Sequence, residues 1–245
     1  ARNLGIGQAS GKIIAFVDDD ALLFPDWAEE TAKTYAEDSS IIGLTGPILP
    51  LWEDESMVWF PREFYWIFSC TYWDWAEPTE VRNGYGTNIS FRREAFDQCG
   101  LFKTSLGIKG YSKSGWQGLG GEETELSLRG KQKTGRRIVY HPNIRVKHKV
   151  YRYRLNNSFI RKRAYWEGYA KAMFNKLYRS NNEQILSTEH ELLHRILFKL
   201  LPQTLKLLIS QPLAAMRRLS VTAIVLVCVA SGYLGYSLTK LFHRS

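Results

Sequence analysis

The sequence predicts an α/β domain over residues 1–150. Basic and amphipathic membrane-proximal helices follow over 151–219, and a transmembrane helix over 220–241. Three observations carry this. Short β-branched apolar runs alternate with helix-start signals through the first 150 residues, the strand–helix–strand rhythm of an α/β domain. From Asn157 onward, Phe159, Ile160, Tyr165, Trp166, Tyr169, Met173 and Leu177 recur at roughly helical spacing. Residues 221–241 carry no charge before Lys240, a length that suits one bilayer crossing.

The elements follow in order. Residues 4–9 read as a helix end, stopped by Ser10 and Gly11. Residues 13–17 (IIAFV) are a short continuous apolar run, which suits a buried parallel strand. Pro25 and Asp26, with Glu29 and Glu30, start a helix reaching Glu37, since acids favour the positive end of the helix dipole. Residues 41–49 form a second strand. Trp52, Trp59, Trp66 and Trp73 fall seven apart, which would stack them on one face of a helical insertion that Pro61 interrupts. A surface meeting lipid or sugar is the other use of such rings. Residues 86–92 are a third strand. A glycine-rich loop spans 106–121, and a helix runs from Glu122 to about Gln132, stopping before Gly135. Residues 137–140 and 144–148 are short strands. Residues 191–219 alternate leucine pairs with His, Arg and Lys and are broken by proline, the pattern of a helix lying in a membrane interface.

The chain has 245 residues and a formal net charge of +9. That balance favours anionic partners: nucleotide phosphates, nucleic acid or anionic lipid. Nucleic acid is set aside because no finger, homeodomain or RNA-binding signature occurs. Cys70, Cys99 and Cys228 are scattered and odd in number, which reads as reduced thiols rather than a disulfide framework. Arg217 and Arg218 precede the apolar span and favour a cytosolic N-terminal side.

The chemistry lies in two acidic clusters. The stretch FVDDDALLFPDW places Asp18, Asp19 and Asp20 after an apolar strand, at the edge where α/β sheets bind ligands. Alternate residues point to one side, so Asp18 and Asp20 can converge on a hard cation, Mg²⁺ or Mn²⁺, that bridges to phosphate oxygens. A solvated acidic turn capping the next helix explains the same residues. The second cluster, GGEETELSLR, sets Glu122, Glu123 and Glu125 at a helix start, where the dipole alone stabilises acids. A carboxylate there can also act as general base toward an attacking hydroxyl. Metal at one cluster and base at the other suits transfer of a group off a nucleotide diphosphate.

The order ARNLGIGQASGKIIAFVDDDALLFPDW, GTNISFRREAF, GGEETELSLR and then His148 resembles glycosyltransferase family 2, over about residues 1–150. The resemblance implies a GT-A fold, Rossmann-like and nucleotide-sugar-binding, and an inverting hexosyltransferase. It implies that Asp18 and Asp20 end the DxD motif, with Asp20 the direct metal ligand, and that Asp19 helps hold the nucleotide. It puts Arg2 and Asn3 beside the nucleotide, and Gly86, Thr87 and Asn88 along the donor-sugar and acceptor pocket. Glu123, with Glu122 as the open alternative, stands where the family has its catalytic Asp. His148 becomes a third metal or diphosphate contact, with a structural histidine as the competing reading. The helix RKRAYWEGYAKAM looks like the segment after the catalytic domain in membrane-attached members that act on polyprenyl- or dolichyl-phosphate-linked sugars. Arg161, Arg163 and Trp166 would there meet the diphosphate or a lipid phosphate, unless the helix only rests on anionic lipid.

The resemblance also implies an N-terminal strand–loop–helix unit, about 80 residues by family expectation, ahead of Ala1. The expected partners are a nucleotide-sugar donor, with UDP the expected nucleotide, a lipid-linked acceptor and the membrane, with single-pass attachment and the catalytic domain on the cytosolic face. The competing reading from a different class is a non-catalytic, membrane-anchored module that binds saccharide or anionic lipid.

Overall fold

A computed structural model describes residues 1–106, 111–112, 115–116, 120–178 and 187–242. Most of the expected glycine-rich loop lies outside the described residues. In chain order the elements are α1 (Arg2–Gln8), β1 (Ile13–Phe16), β2 (Ala21–Leu23), α2 (Trp27–Glu37), β3 (Ile41–Thr45), β4 (Ile48–Trp52), β5 (Thr79–Val81), β6 (Ile89–Arg92), α3 (Arg93–Cys99), β7 (Tyr111–Ser112), β8 (Gly115–Trp116), α4 (Glu122–Thr134), β9 (Arg137–Tyr140), β10 (Val146–Val150), α5 (Asn157–Tyr178), α6 (Ser187–Arg195), α7 (Leu201–Ser210) and α8 (Pro212–Phe242). They form two compact units. One comprises Ala1–Leu51, Ser69–Gly107 and Gly121–Val150; the other comprises Trp52–Phe68, Ile108–Gly120 and Tyr151–Ser245.

The first unit is an α/β layer structure around a five-stranded mixed sheet in the order β1-β6-β3-β9-β5. Strand β3 is buried along its whole length, pairing parallel with β9 and antiparallel with β6. Strand β1 corrects an expectation. It pairs antiparallel with β6, stands at the end of the sheet and alternates in burial, so its apolar run is not a buried parallel strand. A second, three-stranded sheet has the order β2-β10-β4. Residues 41–49 divide between the two sheets at Gly46. A Cβ there would sit 2.0 Å from the Ile144 carbonyl oxygen, so the chain can turn that corner only with glycine.

Helix α4 starts and stops as its composition dictates. Gly121, at φ 105°, makes the left-handed entry, and Glu122, Glu123 and Glu125 occupy the first turn. Lys131 and Lys133 lie in the last turn, and Gly135, at φ 66°, closes the helix in the left-handed conformation.

The second unit is helical. Phe60, Phe64 and Phe68 cluster about a 3₁₀ segment, Arg62–Phe68, with the Phe60 and Phe68 centroids 4.9 Å apart. Such pairs contribute roughly 0.5–1.5 kcal/mol beyond their burial. The four tryptophans do not share one helix face. Trp52 ends β4 and meets Tyr65 and Phe68 edge-on, while Trp73 belongs to the first unit and stacks on Trp75. Pro61 prevents the continuous helix that the spacing of seven requires.

Helices α6 and α7 join through a π-helical turn, Ile196–Leu200. The break that follows falls at Gln211, and α8 then runs uninterrupted for 31 residues. Over Pro212–Leu238 it is long and apolar enough to cross a membrane, by length and composition. It packs along α5 with the two backbones in contact. A Cβ at Gly168 would sit 2.0 Å from the Val229 carbonyl oxygen, and one at Gly232 would sit 1.9 Å from that of Tyr165. Asn175 also donates to the Tyr233 hydroxyl at 3.0 Å.

Candidate active site

The first acidic cluster is built by a tight turn between β1 and β2. Phe16 anchors the end of β1 edge-on to Phe102 and Phe96. The Ala21 amide then donates to the Asp18 carbonyl at 3.1 Å, folding the three aspartates back. Strand β2 pairs with β10 so that Ala21 opposes His148, and the Lys149 amide donates to the Asp20 carbonyl at 3.0 Å. Register therefore puts His148 against Asp20, with Nε2 and Oδ1 3.0 Å apart.

Asp18, Asp20 and His148 each offer a ligand atom, all within 4.8 Å of one another. Two carboxylate oxygens and a buried imidazole nitrogen fit a divalent cation that takes oxygen and nitrogen ligands. Behind the ring, Cys70 Sγ lies 3.8 Å from Nδ1, a contact the sequence did not signal. It fixes the ring's outward nitrogen, as outer partners of metal-ligating histidines do. Thr87 donates to Asp18 Oδ2 at 2.7 Å and orients that carboxylate. Asp19 is exposed beside them.

The second cluster sits at the start of α4, and Arg2 ties it to the first. The Arg2 guanidinium lies 2.5 Å from Glu123, 3.1 Å from Glu122 and 3.9 Å from Asp18. Burial disfavours its charge, but Glu123, Glu122 and Asp18 outweigh that and hold its pKa above the ordinary value. Asn3 fixes α1 from behind by exchanging two hydrogen bonds with the Phe102 backbone, at 2.9 and 3.1 Å. Gly86 lies directly over the ion pair. A Cβ there would come within 2.2 Å of Glu123 Oε1 and 2.3 Å of an Arg2 nitrogen.

Asn88 is buried, accepting from the Trp27 indole at 2.9 Å and donating to the Ile144 carbonyl at 2.7 Å. Its amide holds α2 and the β9–β10 connection to β6. Glu125 is 1% exposed, and Arg129 and Lys103 pair with it at 2.8 and 2.7 Å. It is the structural acid of its cluster. Arg161, Arg163 and Trp166 lie on α5 in the second unit. Arg161 is exposed, and Trp166 packs edge-on between Tyr165 and Tyr169.

Comparison with known proteins bears on this arrangement. The chain is 31% identical over 235 residues to a glucosyl-dolichyl phosphate glucuronosyltransferase of Haloferax volcanii, covering 95% of this chain and 72% of that protein. This chain belongs to glycosyl transferase family 2. The profile of that family matches residues 1–100. A second relative by sequence is the succinoglycan biosynthesis protein ExoM of Rhizobium meliloti, 30% identical over 169 residues, which are 69% of this chain and 50% of that one. A solved mannosyltransferase, PcManGT from Pyrobaculum calidifontis in complex with GDP-Man and Mn²⁺, superposes with a TM-score of 0.51 at 19% identity. The match covers 95% of this chain and 65% of that one, and it shows the GT-A fold. As a family 2 glycosyltransferase, the chain carries both acidic clusters on that fold, joined through Arg2.

Proposed function

We propose that this glycosyltransferase moves a sugar, with inversion, from a nucleotide sugar, taken as a UDP sugar, to a saccharide acceptor linked to polyprenyl or dolichyl phosphate. The observation that carries the reading is the Arg2 bridge, which sets a candidate base beside a candidate diphosphate site. The relative from Haloferax volcanii bears on the acceptor class, since its name specifies a dolichyl phosphate sugar.

Asp18, Asp20 and His148 are the residues that would hold Mg²⁺ or Mn²⁺. When bound, such an ion neutralises charge on the departing diphosphate. The protein's own groups do the rest. Glu123 accepts the proton of the acceptor hydroxyl as its oxygen bonds to the anomeric carbon and the bond to the diphosphate oxygen breaks. Arg2 holds the Glu123 carboxylate against the backbone of Gly86, which the family resemblance sets along the sugar pocket. Its nearness to both Glu123 and Glu122 keeps Glu122 as the reserve candidate, while the Gly86 contact favours Glu123. Asp19 and Asn3 complete the nucleotide side in this reading, and Arg161, Arg163 and Trp166 contribute contacts to phosphate from α5. Helix α8 serves as the single span, with the catalytic domain on the cytosolic face.

The test is UDP binding by calorimetry and sugar transfer by the full-length protein, with Mn²⁺ and with EDTA. Glu123→Gln should keep metal-dependent UDP binding and lose transfer by 10²-fold or more, about the value of a positioned base. Asp20→Ala should lose metal-dependent binding. Transfer retained in Glu123→Gln overturns the base assignment, and UDP binding unaffected by EDTA overturns the metal site.

A further inference from the structure

The second unit contains a groove that the transferase reading does not use. It has a volume of about 440 Å³ and is lined by Trp59, Asn156, Arg217, Ser220, Val221 and Ile224, among others. The geometry points to a binding site for the phosphate head of a lipid, seated on Arg217 with its first methylenes against Val221 and Ile224.

Three observations converge on that ligand. First, the groove grades in polarity along one helix. Arg217 and Ser220 lie near the start of α8, and Val221 and Ile224 lie one turn further into the apolar span. A phosphate at the boundary and a hydrocarbon chain running inward match that order. Second, Arg217 is preset. Its guanidinium carbon sits 3.8 Å from the centroid of the Trp59 ring, so the ring holds it in place while its edge N–H groups can still meet oxygen. Third, the charge is one-sided. The groove lining contains no carboxylate, and no Asp or Glu occurs after Glu191, whereas Arg195, Lys199, Lys206, Arg217 and Arg218 do. Asn156 caps α5 there, accepting from the Phe159 amide at 2.8 Å, so the positive end of that helix opens on the same space.

The shared chemistry is a phosphate monoester carried by a lipid, which a prenyl phosphate or a phosphatidic acid supplies. The inference stands apart from the transferase reading, because every residue it uses belongs to the second unit and none takes part in donor binding or proton transfer.

The test is binding of dispersed short-chain probes to the full chain in detergent, followed by calorimetry. The probes are farnesyl phosphate, dihexanoylphosphatidic acid, dihexanoylglycerol and inorganic phosphate. One or both phospholipid probes should bind, and Arg217→Gln should weaken them at least tenfold while Arg218→Gln changes them less than twofold. Farnesyl phosphate alone assigns a prenyl source; phosphatidic acid alone assigns a glycerolipid source. Ile224→Trp fills the groove with Arg217 intact and should block both, with circular dichroism showing the fold retained. Equal binding of dihexanoylglycerol, inorganic phosphate binding as tightly as the lipids, or lipid binding unchanged in both Arg217→Gln and Ile224→Trp overturns the site.

Discussion

Arg2 lies 2.5 Å from Glu123 and 3.9 Å from Asp18, so one guanidinium joins the two acidic clusters of the site. Without it, carboxylates from the β1–β2 turn and from the start of α4 would face one another uncompensated. The bridge fits only because residue 86 has no side chain.

Gly86→Ala should therefore act on rate rather than on fold. Its methyl would displace Glu123 Oε1, Arg2 or both, by about an ångström. A displacement of that size typically costs about 10²-fold in rate. Steady-state kinetics should show kcat down by that order, with the thermal midpoint nearly unchanged. A variant with full kcat would show that the Arg2–Glu123 geometry is not needed.

Glu125 and Glu123 share a helix turn but should respond oppositely to the same substitution. Glu125→Gln breaks a buried carboxylate's pairing with Arg129 and Lys103 and should destabilise the protein by about 3 kcal/mol. Glu123→Gln should leave stability within about 1 kcal/mol, since its ion pair is partly solvated. Denaturant titration of the two variants checks the contrast.

Gly232→Val should disrupt the α5–α8 contact. The added side chain meets the Tyr165 carbonyl and the Tyr169 amide, backbone atoms that cannot step aside. Overpacking of this kind costs about 1–3 kcal/mol or more. Limited proteolysis should cut the second unit of the variant faster, while metal-dependent UDP binding remains.

His141 gives the first unit an acid-sensitive element. Its pKa lies below the ordinary 6.5 because burial disfavours the charged ring and Lys33 adds to this, against opposing attraction from Glu30 and Glu37. Its Nδ1 accepts from the Asn143 amide at 3.3 Å, which requires the neutral form. The unfolded chain therefore binds the proton first as pH falls. Stability is complete above about 6.5 and declines as pH drops from there toward the lower folded value. His141→Gln should flatten that decline in thermal midpoints measured from pH 7 to pH 5. An unchanged slope would assign the acid sensitivity elsewhere.

The strands and helices of the first unit were legible because their signals are local. The β-branched run at 13–16, the acids at the start of α4 and the glycine at its end each act within one element. Pairing is not local, so β1 was read as parallel and buried although it lies antiparallel to β6 at the end of the sheet. The tryptophan spacing misled for the opposite reason. It is a true period of seven, but Pro61 makes a single helix impossible and leaves the rings to separate partners. At the candidate site, motif order alone marks Asp18, Asp20 and the Glu122–Glu123 pair as candidates. The Cys70 contact behind His148 and the Arg2 bridge could not be read that way, because they depend on segments that only the fold brings together.

The glycine contact between α5 and α8 has a consequence for how the apolar helix could be inserted during synthesis. Backbone touches backbone at Gly168 and Gly232, and α5 carries Glu167, Lys171 and Asn175 along that stretch. In this conformation α8 is not an independent stop-transfer segment. As the proposed span it would enter a bilayer together with α5, whose Lys171 pairs with Glu167 and Glu189, or only after the two helices come apart. If α8 is the proposed span, its insertion and the folding of the second unit are one event, and truncating α5 should strand α8 without its partner surface.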